Sequence, residues 1–245
     1  MNYTKKHILE ITINASIIIQ IITGIITLGS FLIKLASQHM ILYDIMLMET
    51  IVQFVELSFY LLISYYLVNI SISNVAALRY FDWVFTTPVM LLTTIMFFDY
   101  KNKQVKESMV DTINEEKEDK HDDSQAILFV KENKRNIVLI LVYNFLMLLF
   151  GYLGEIGSIN LYLSNVIGFV FFGLAFYTIW SNYVKESTVL INHQLFYFIF
   201  IVWALYGVAA LASPFIKNIG YNLLDIVAKN FYGLFIFYQI YLTSI

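Results

Sequence analysis

Residues Arg79 to Thr94 read RYFDWVFTTPVMLLTT and lie inside an otherwise apolar run, 75–98, long enough to cross a bilayer. A hydrocarbon core of about 30 Å needs roughly 20 such residues as a helix. Arg79 and Asp82 stand three apart, and Asp82 and Thr86 four apart, so all three share one helix face. Pro88 removes a backbone donor, and Thr86 and Thr87 stand where hydroxyls can serve the groups it frees. A charge at mid-bilayer costs about 2.5–3.5 kcal/mol or more, so an Arg and an Asp placed there mark a functional site with partners to be found.

The surrounding chain has the same character. Of 245 residues, 59% are hydrophobic and only 13% charged, with a mean hydropathy of +0.71; ordinary soluble domains carry roughly 25% charge. Seven segments qualify as spans, at 8–35, 41–69, 75–98, 136–154, 161–183, 190–213 and 222–245, giving an all-α, seven-helix membrane bundle with no soluble domain. The first runs about 28 residues without a small-residue cleavage site, and so reads as a retained span and not a signal peptide. Lys34, Lys185 and the eight basic residues of 100–135 fall on one side, against Lys5, Lys6 and Lys217 on the other. The positive-inside rule then places the N-terminus outside. The absence of cysteine excludes disulfides and thiolate chemistry, and a net charge of −3 gives no basic footprint for nucleic acid. No internal repeat, Gly-rich phosphate loop or Ser/His/Asp arrangement points to an enzyme.

The segment 100–135 holds 8 basic and 9 acidic residues, with NEEKEDKHDDS at its centre, and reads as a charged, solvated cytoplasmic loop between the third and fourth helices. Within it, 124–130 (SQAILFV) is either an interfacial stretch or a helical lead into the fourth span. His121 beside Asp119, Asp122 and Asp123 is a weak cation site or simply solvated charge.

Only 16 charges remain for the other 209 residues, and those inside spans form a set. Glu49 and Glu56 share a face of the second span; Asp225 and Lys229 stand one turn apart in the seventh. Lys229 sits about eight residues into that span. A buried amine that loses its proton is a nucleophile towards an aldehyde, forming a Schiff base whose protonated form needs an anion nearby. The alternative for Asp225 and Lys229 is an intrahelical pair serving packing and register.

The Arg79–Thr94 stretch resembles the third helix of microbial (type 1) rhodopsins almost residue for residue, and Asp225-x-x-x-Lys229 resembles their retinal-binding seventh helix. Trp203 and Tyr206 are similar to the family's Trp-x-x-Tyr, although Gly207 replaces the Pro that commonly follows and Ala210 a second Trp. Asn144, Met147, Gly151 and Gly154 reproduce a pocket spacing in the fourth span. The resemblance covers the seven-helix body and omits 100–135. It implies all-trans retinal bound to Lys229 as a Schiff base, Asp82 and Asp225 as counterions, and Arg79 on their extracellular side. It further implies Trp83 and Trp203 against the polyene, Tyr206 hydrogen-bonded to Asp225, and a pocket completed by Thr87, Asn144, Met147 and Gly151.

An outward proton pump of this family needs a cytoplasmic donor three turns beyond the acceptor, and that position is Thr93; the 213–222 connection, SPFIKNIGYN, carries no acid. Glu49, Gln53, Glu56 and Tyr60 instead make a polar stripe on the second span, with Thr12, Ser16, Gln20 and Thr23 on the first. Acid along a wet cavity favours cations; hydrogen-bonding glue or a proton pathway is the alternative. The pattern resembles viral channelrhodopsins, in which Ser16, Glu56 and Asn230 would form a central constriction, with Glu49 and Arg79 further along the ion path. The pair that slows closure in several algal channelrhodopsins appears as Thr87 and Asn144 and is not carried over. The resemblance thus implies a retinal photoreceptor acting as a light-gated cation channel in a lipid bilayer, passing monovalent cations, divalent cations or protons. A weak outward proton pump and a sensory rhodopsin signalling through a partner are the alternatives, and homo-oligomerisation is left open.

Overall fold

The computed structural model describes residues 3–67, 72–110 and 124–244. Helices dominate because backbone polar groups in hydrocarbon must be satisfied within the chain. They are α1 (Tyr3–Leu28), α2 (Ile41–Tyr66), α3 (Ile72–Val110), α4 (Gln125–Glu155), α5 (Leu161–Ile179), α6 (Leu190–Ala210), α7 (Pro214–Asp225) and α8 (Phe231–Leu242). A π-helical turn, Ile226–Asn230, joins α7 to α8, so together they form one seventh span, Pro214–Leu242. Seven helices are long and apolar enough to cross a membrane, and the described residues hold no strand beyond one isolated bridge, Leu35 to Ser244.

The seven expected spans are present, and several bounds differ for physical reasons. The stretch 100–135 is not a loop throughout: α3 runs on to Val110 and α4 begins at Gln125. Its charged residues are good helix formers, and hydropathy marks where the hydrocarbon ends, not where the helix does. Lys103 bridges Asp99 at 3.0 Å and Glu132 of α4 at 3.3 Å, and Tyr100 and Phe129 are buried. The segment 124–130 is therefore the helical lead into the fourth span. His121 and its acidic neighbours lie outside the described residues. The seventh span begins at Pro214, not at residue 222, with proline in the first turn where its missing N–H costs nothing. Hydropathy missed this turn because Lys217, Asn218 and Asn222 point inward and are buried.

The spans pack as a ring in chain order, closed by α1 against α7. Outward positions such as Ile18, Ile25, Leu47 and Phe54 are exposed and apolar, as lipid requires. Polar groups point inward: Ser16, Gln20, Thr23 and Thr27 of α1, and Glu49, Gln53, Glu56 and Tyr60 of α2, are all buried. Between α4 and α5, Gly157 takes φ +74°, a left-handed turn that glycine adopts without strain. Asn160 then caps α5 by accepting from the Tyr162 and Leu163 N–H groups.

Candidate functional site

Lys229 lies in the π turn, which holds Ala228, Lys229 and Asn230 buried in succession. Such turns interrupt α-helical pairing and are frequent at functional sites. Lys229 Nζ donates to Asp82 Oδ2 at 2.5 Å and stands 3.7 Å from Asp225 Oδ1. Two carboxylates from separate spans therefore face one buried amine.

The two carboxylates are held differently. Asp82 Oδ1 has no partner among the described residues, and the Thr86 hydroxyl returns to the Asp82 carbonyl and not to its carboxylate. Asp225 is fixed on three sides. Tyr60 donates to Oδ2 at 2.8 Å, Tyr206 to Oδ1 at 2.8 Å, and Arg79 bridges Oδ2 at 3.2 Å. Arg79 is itself 1% exposed; it also donates to the Tyr60 hydroxyl at 3.0 Å, to Asn218 at 3.4 Å and to Asn222. Asn222 in turn donates to Thr12 of α1 at 2.8 Å. Hydrogen bonds to charged groups are the strong ones, so this cluster ties α1, α2, α3, α6 and α7 together. Tyr60 belonged to the polar stripe read from the sequence; Asn218 gave no signal, since it lies in the stretch that hydropathy excluded.

A cavity of about 860 Å³, counting the open space at its mouth, is lined by Lys229 together with Trp83, Trp203, Tyr206, Thr87, Met147 and Gly151. Gly207 and Ala210, the two departures from the rhodopsin pattern, line it too. A Cβ at Gly151 would come within 2.9 Å of the Tyr80 ring, and one at Gly207 within 2.5 Å of the Phe169 ring, so both glycines make room for aromatic walls. Phe169, Phe172 and Tyr221 are wall residues that the motifs did not identify. Asn144 is not a wall residue: it stands behind Thr87 and donates to its hydroxyl at 2.9 Å. Largely apolar walls with one buried amine among them fit a long apolar aldehyde such as retinal.

On the other side of Lys229, Asn230 meets Glu56 at 3.4 Å and accepts from Thr23 at 2.5 Å. Ser16 does not join them; its hydroxyl bonds the Thr12 carbonyl of its own helix. Thr23, two turns along the same face, takes the place expected of Ser16, and that shared face was the available signal. Glu49 accepts from Thr93 at 2.5 Å. Beyond the site, Lys217 and Glu155 form a buried pair at 2.8 Å between α7 and the end of α4.

Known proteins share this architecture. The viral rhodopsin OLPVRII is 28% identical with a TM-score of 0.75, over 95% of this chain and 97% of that one. Xanthorhodopsin, described as a light-driven ion pump with dual chromophore, is 14% identical with a TM-score of 0.69, over 100% and 96% of the two chains. The rhodopsin of Exiguobacterium sibiricum is 17% identical with a TM-score of 0.66, over 96% and 97%. No curated protein sequence matches. The sequence profile described as "Bacteriorhodopsin-like protein" matches residues 12–242. The chain is thus an integral multi-pass membrane protein and belongs to the bacteriorhodopsin-like family, whose members bind retinal.

Proposed function

We propose that the chain is a light-gated cation channel with all-trans retinal linked to Lys229. One observation carries the channel reading. Five buried polar atoms on four residues, Gln20 Nε2 and Oε1, Glu49 Oε2, Gln53 Nε2 and Glu56 Oε1, have no partner among the described residues. All four belong to the inward faces of α1 and α2. Buried polar groups are otherwise almost always paired, so a stripe of unpaired ones is a surface suited to water and cations. Its two carboxylates favour cations over anions.

Retinal, when bound, supplies absorption of visible light and a change of shape. The residues supply the rest. Asp82 and Asp225 balance the positive charge at Lys229 Nζ. Trp83 and Trp203 confine the cavity. Arg79, Tyr60 and Asn222 bar one end of the path, which positive-inside charge places at the extracellular face. Movement of the Lys229 turn also displaces Asn230, which meets Glu56 and Thr23, and widens the path between α1, α2 and α8.

A second reading has a specific observation behind it. Thr93, at the place where a pump carries its donor, is hydrogen-bonded to the buried Glu49 carboxyl. A weak outward proton pump would draw its internal proton from Glu49. Voltage clamp of cells supplied with retinal separates the two. The channel gives photocurrents that reverse sign with voltage and follow the cation gradient; currents outward at every voltage overturn it in favour of the pump.

A further inference from the structure

Gln53 stands four residues from Glu49 and three from Glu56 on the inward face of α2, midway along the unpaired stripe. The residue is 5% exposed, and its carboxamide reaches across the seam between α1 and α8. On the α1 side, Oε1 accepts from Thr27 Oγ1 at 3.0 Å, and a Cβ at Gly24 would stand in ordinary contact with it at 3.8 Å. On the α8 side, the Cβ that Gly233 lacks would overlap Nε2 and lie 3.4 Å from Cδ. The amide therefore occupies a notch that only glycine leaves open, wedged between the two helices that bound the path.

We infer that Gln53, seated in the Gly233 notch, is a constriction of the ion path, and that its seat is controlled by the chromophore lysine. The inference rests on the reading of the α1–α2–α8 seam as that path. Gly233 follows Lys229 by four residues, one turn further along the same face. The π turn that carries Lys229 ends at Asn230, so α8 begins immediately beyond it. A displacement of Lys229 along or away from the bundle axis carries Gly233 with it. The notch then parts from α2, and the Gln53 side chain, with three rotatable bonds and only its Thr27 hydrogen bond to hold it, leaves the cross-section. In the dark the same geometry holds the amide across the gap between Glu49 and the Glu56–Asn230–Thr23 cluster.

The chain has no cysteine, so Gln20→Cys introduces a sole thiol, and it breaks no hydrogen bond because neither amide atom of Gln20 has a partner. Gln20 lies two turns from Thr27 on the same α1 face, on the far side of Gln53 from Glu49. In retinal-loaded Gln20→Cys protein kept dark, modification of the thiol by methanethiosulfonate ethylammonium is slow, and Gln53→Ala in that background raises the rate about tenfold. Gly233→Ala, which unseats the amide without removing it, does the same, and Gln53→Asn, one methylene shorter, falls between. Retention of the visible band shows that each variant is folded; if Gly233→Ala loses it, Gln53→Ala decides. Equal rates in Gln20→Cys and Gln20→Cys/Gln53→Ala overturn the inference, even where photocurrents reverse normally. A wild-type protein without reversing photocurrent, but with the tenfold difference in labelling, overturns the channel reading and leaves the constriction standing.

Discussion

Replacing each carboxylate that faces Lys229 by its amide separates two roles that the structure assigns unequally. Asp82→Asn and Asp225→Asn each remove one negative charge. Asp82 is 2.5 Å from Nζ and Asp225 3.7 Å, so at an effective dielectric constant near 20 their attractions are roughly 7 and 4.5 kcal/mol. Asp82→Asn therefore removes the larger share of the potential that stabilises positive charge at Nζ, and it moves the visible band to longer wavelength by more than Asp225→Asn does. Stability runs the other way. Asp225→Asn leaves the Arg79 guanidinium buried without a carboxylate, and breaking such a pair costs about 3–5 kcal/mol. Asp82→Asn loses one charged hydrogen bond, about 1.5–3 kcal/mol, while Lys229 keeps Asp225. A gap of about 2 kcal/mol carried by the unfolding barrier makes Asp225→Asn lose its visible band on heating roughly 30 times faster. Absorption spectra and bleaching rates at one fixed temperature measure both. A larger red shift together with slower bleaching in Asp225→Asn would refute the division of roles.

Three other outcomes are expected. Lys229→Ala abolishes the visible band of protein supplied with retinal while the protein still folds, which absorption and circular dichroism read together. Glu56→Gln changes the reversal potential or conductance and leaves colour nearly intact, since Glu56 meets Asn230 and not Lys229; a large colour change with unaltered current would place it at the chromophore instead. Lys217→Met strands the buried Glu155 carboxylate and lowers stability by about 3–5 kcal/mol. Adding Glu155→Leu restores most of the loss, which a double-mutant cycle of bleaching rates detects.

The sequence made the seven spans legible because lipid imposes apolar composition and a minimum length on each. It misplaced their ends where helix and hydrocarbon part company: in charged 100–110 and 125–135, helical for reasons unrelated to hydropathy, and in 214–221, whose polar residues face inward. The meeting of the buried charges was legible for the corresponding reason. Arg79, Asp82, Asp225 and Lys229 are charges that a bilayer excludes unless they meet, and the structure brings them within bonding distance. Neutral polar residues were harder. Ser16 and Thr23 lie on one face, and helix periodicity cannot tell which level meets Asn230; the answer depends on how far α1 slides along the seventh span. Asn144 had the right spacing for a wall, and only the packing of α4 on α3 shows that it backs Thr87. The π turn at 226–230 has no signature in residue pattern at all.

On the channel reading proposed above, that π turn lets one chromophore attachment at Lys229 govern a path blocked in two places. The unpaired polar atoms of Glu49, Gln53 and Glu56 lie on one half, whereas the Arg79 half is closed by a cluster in which Arg79 and Asp225 are both bonded. On that reading, opening either half alone passes nothing. Asp225, four residues before Lys229, anchors the Arg79 cluster; Gly233, four residues after it, forms the seat of Gln53. Both therefore lie one turn from the lysine on the same face, and the helical pairing between them is already interrupted. A movement of this turn strains the Asp225 contacts and withdraws the Gly233 notch in the same displacement. A rigid α-helix through 214–242 would spread that movement over its whole length; the interruption concentrates it on the residues that hold the two constrictions.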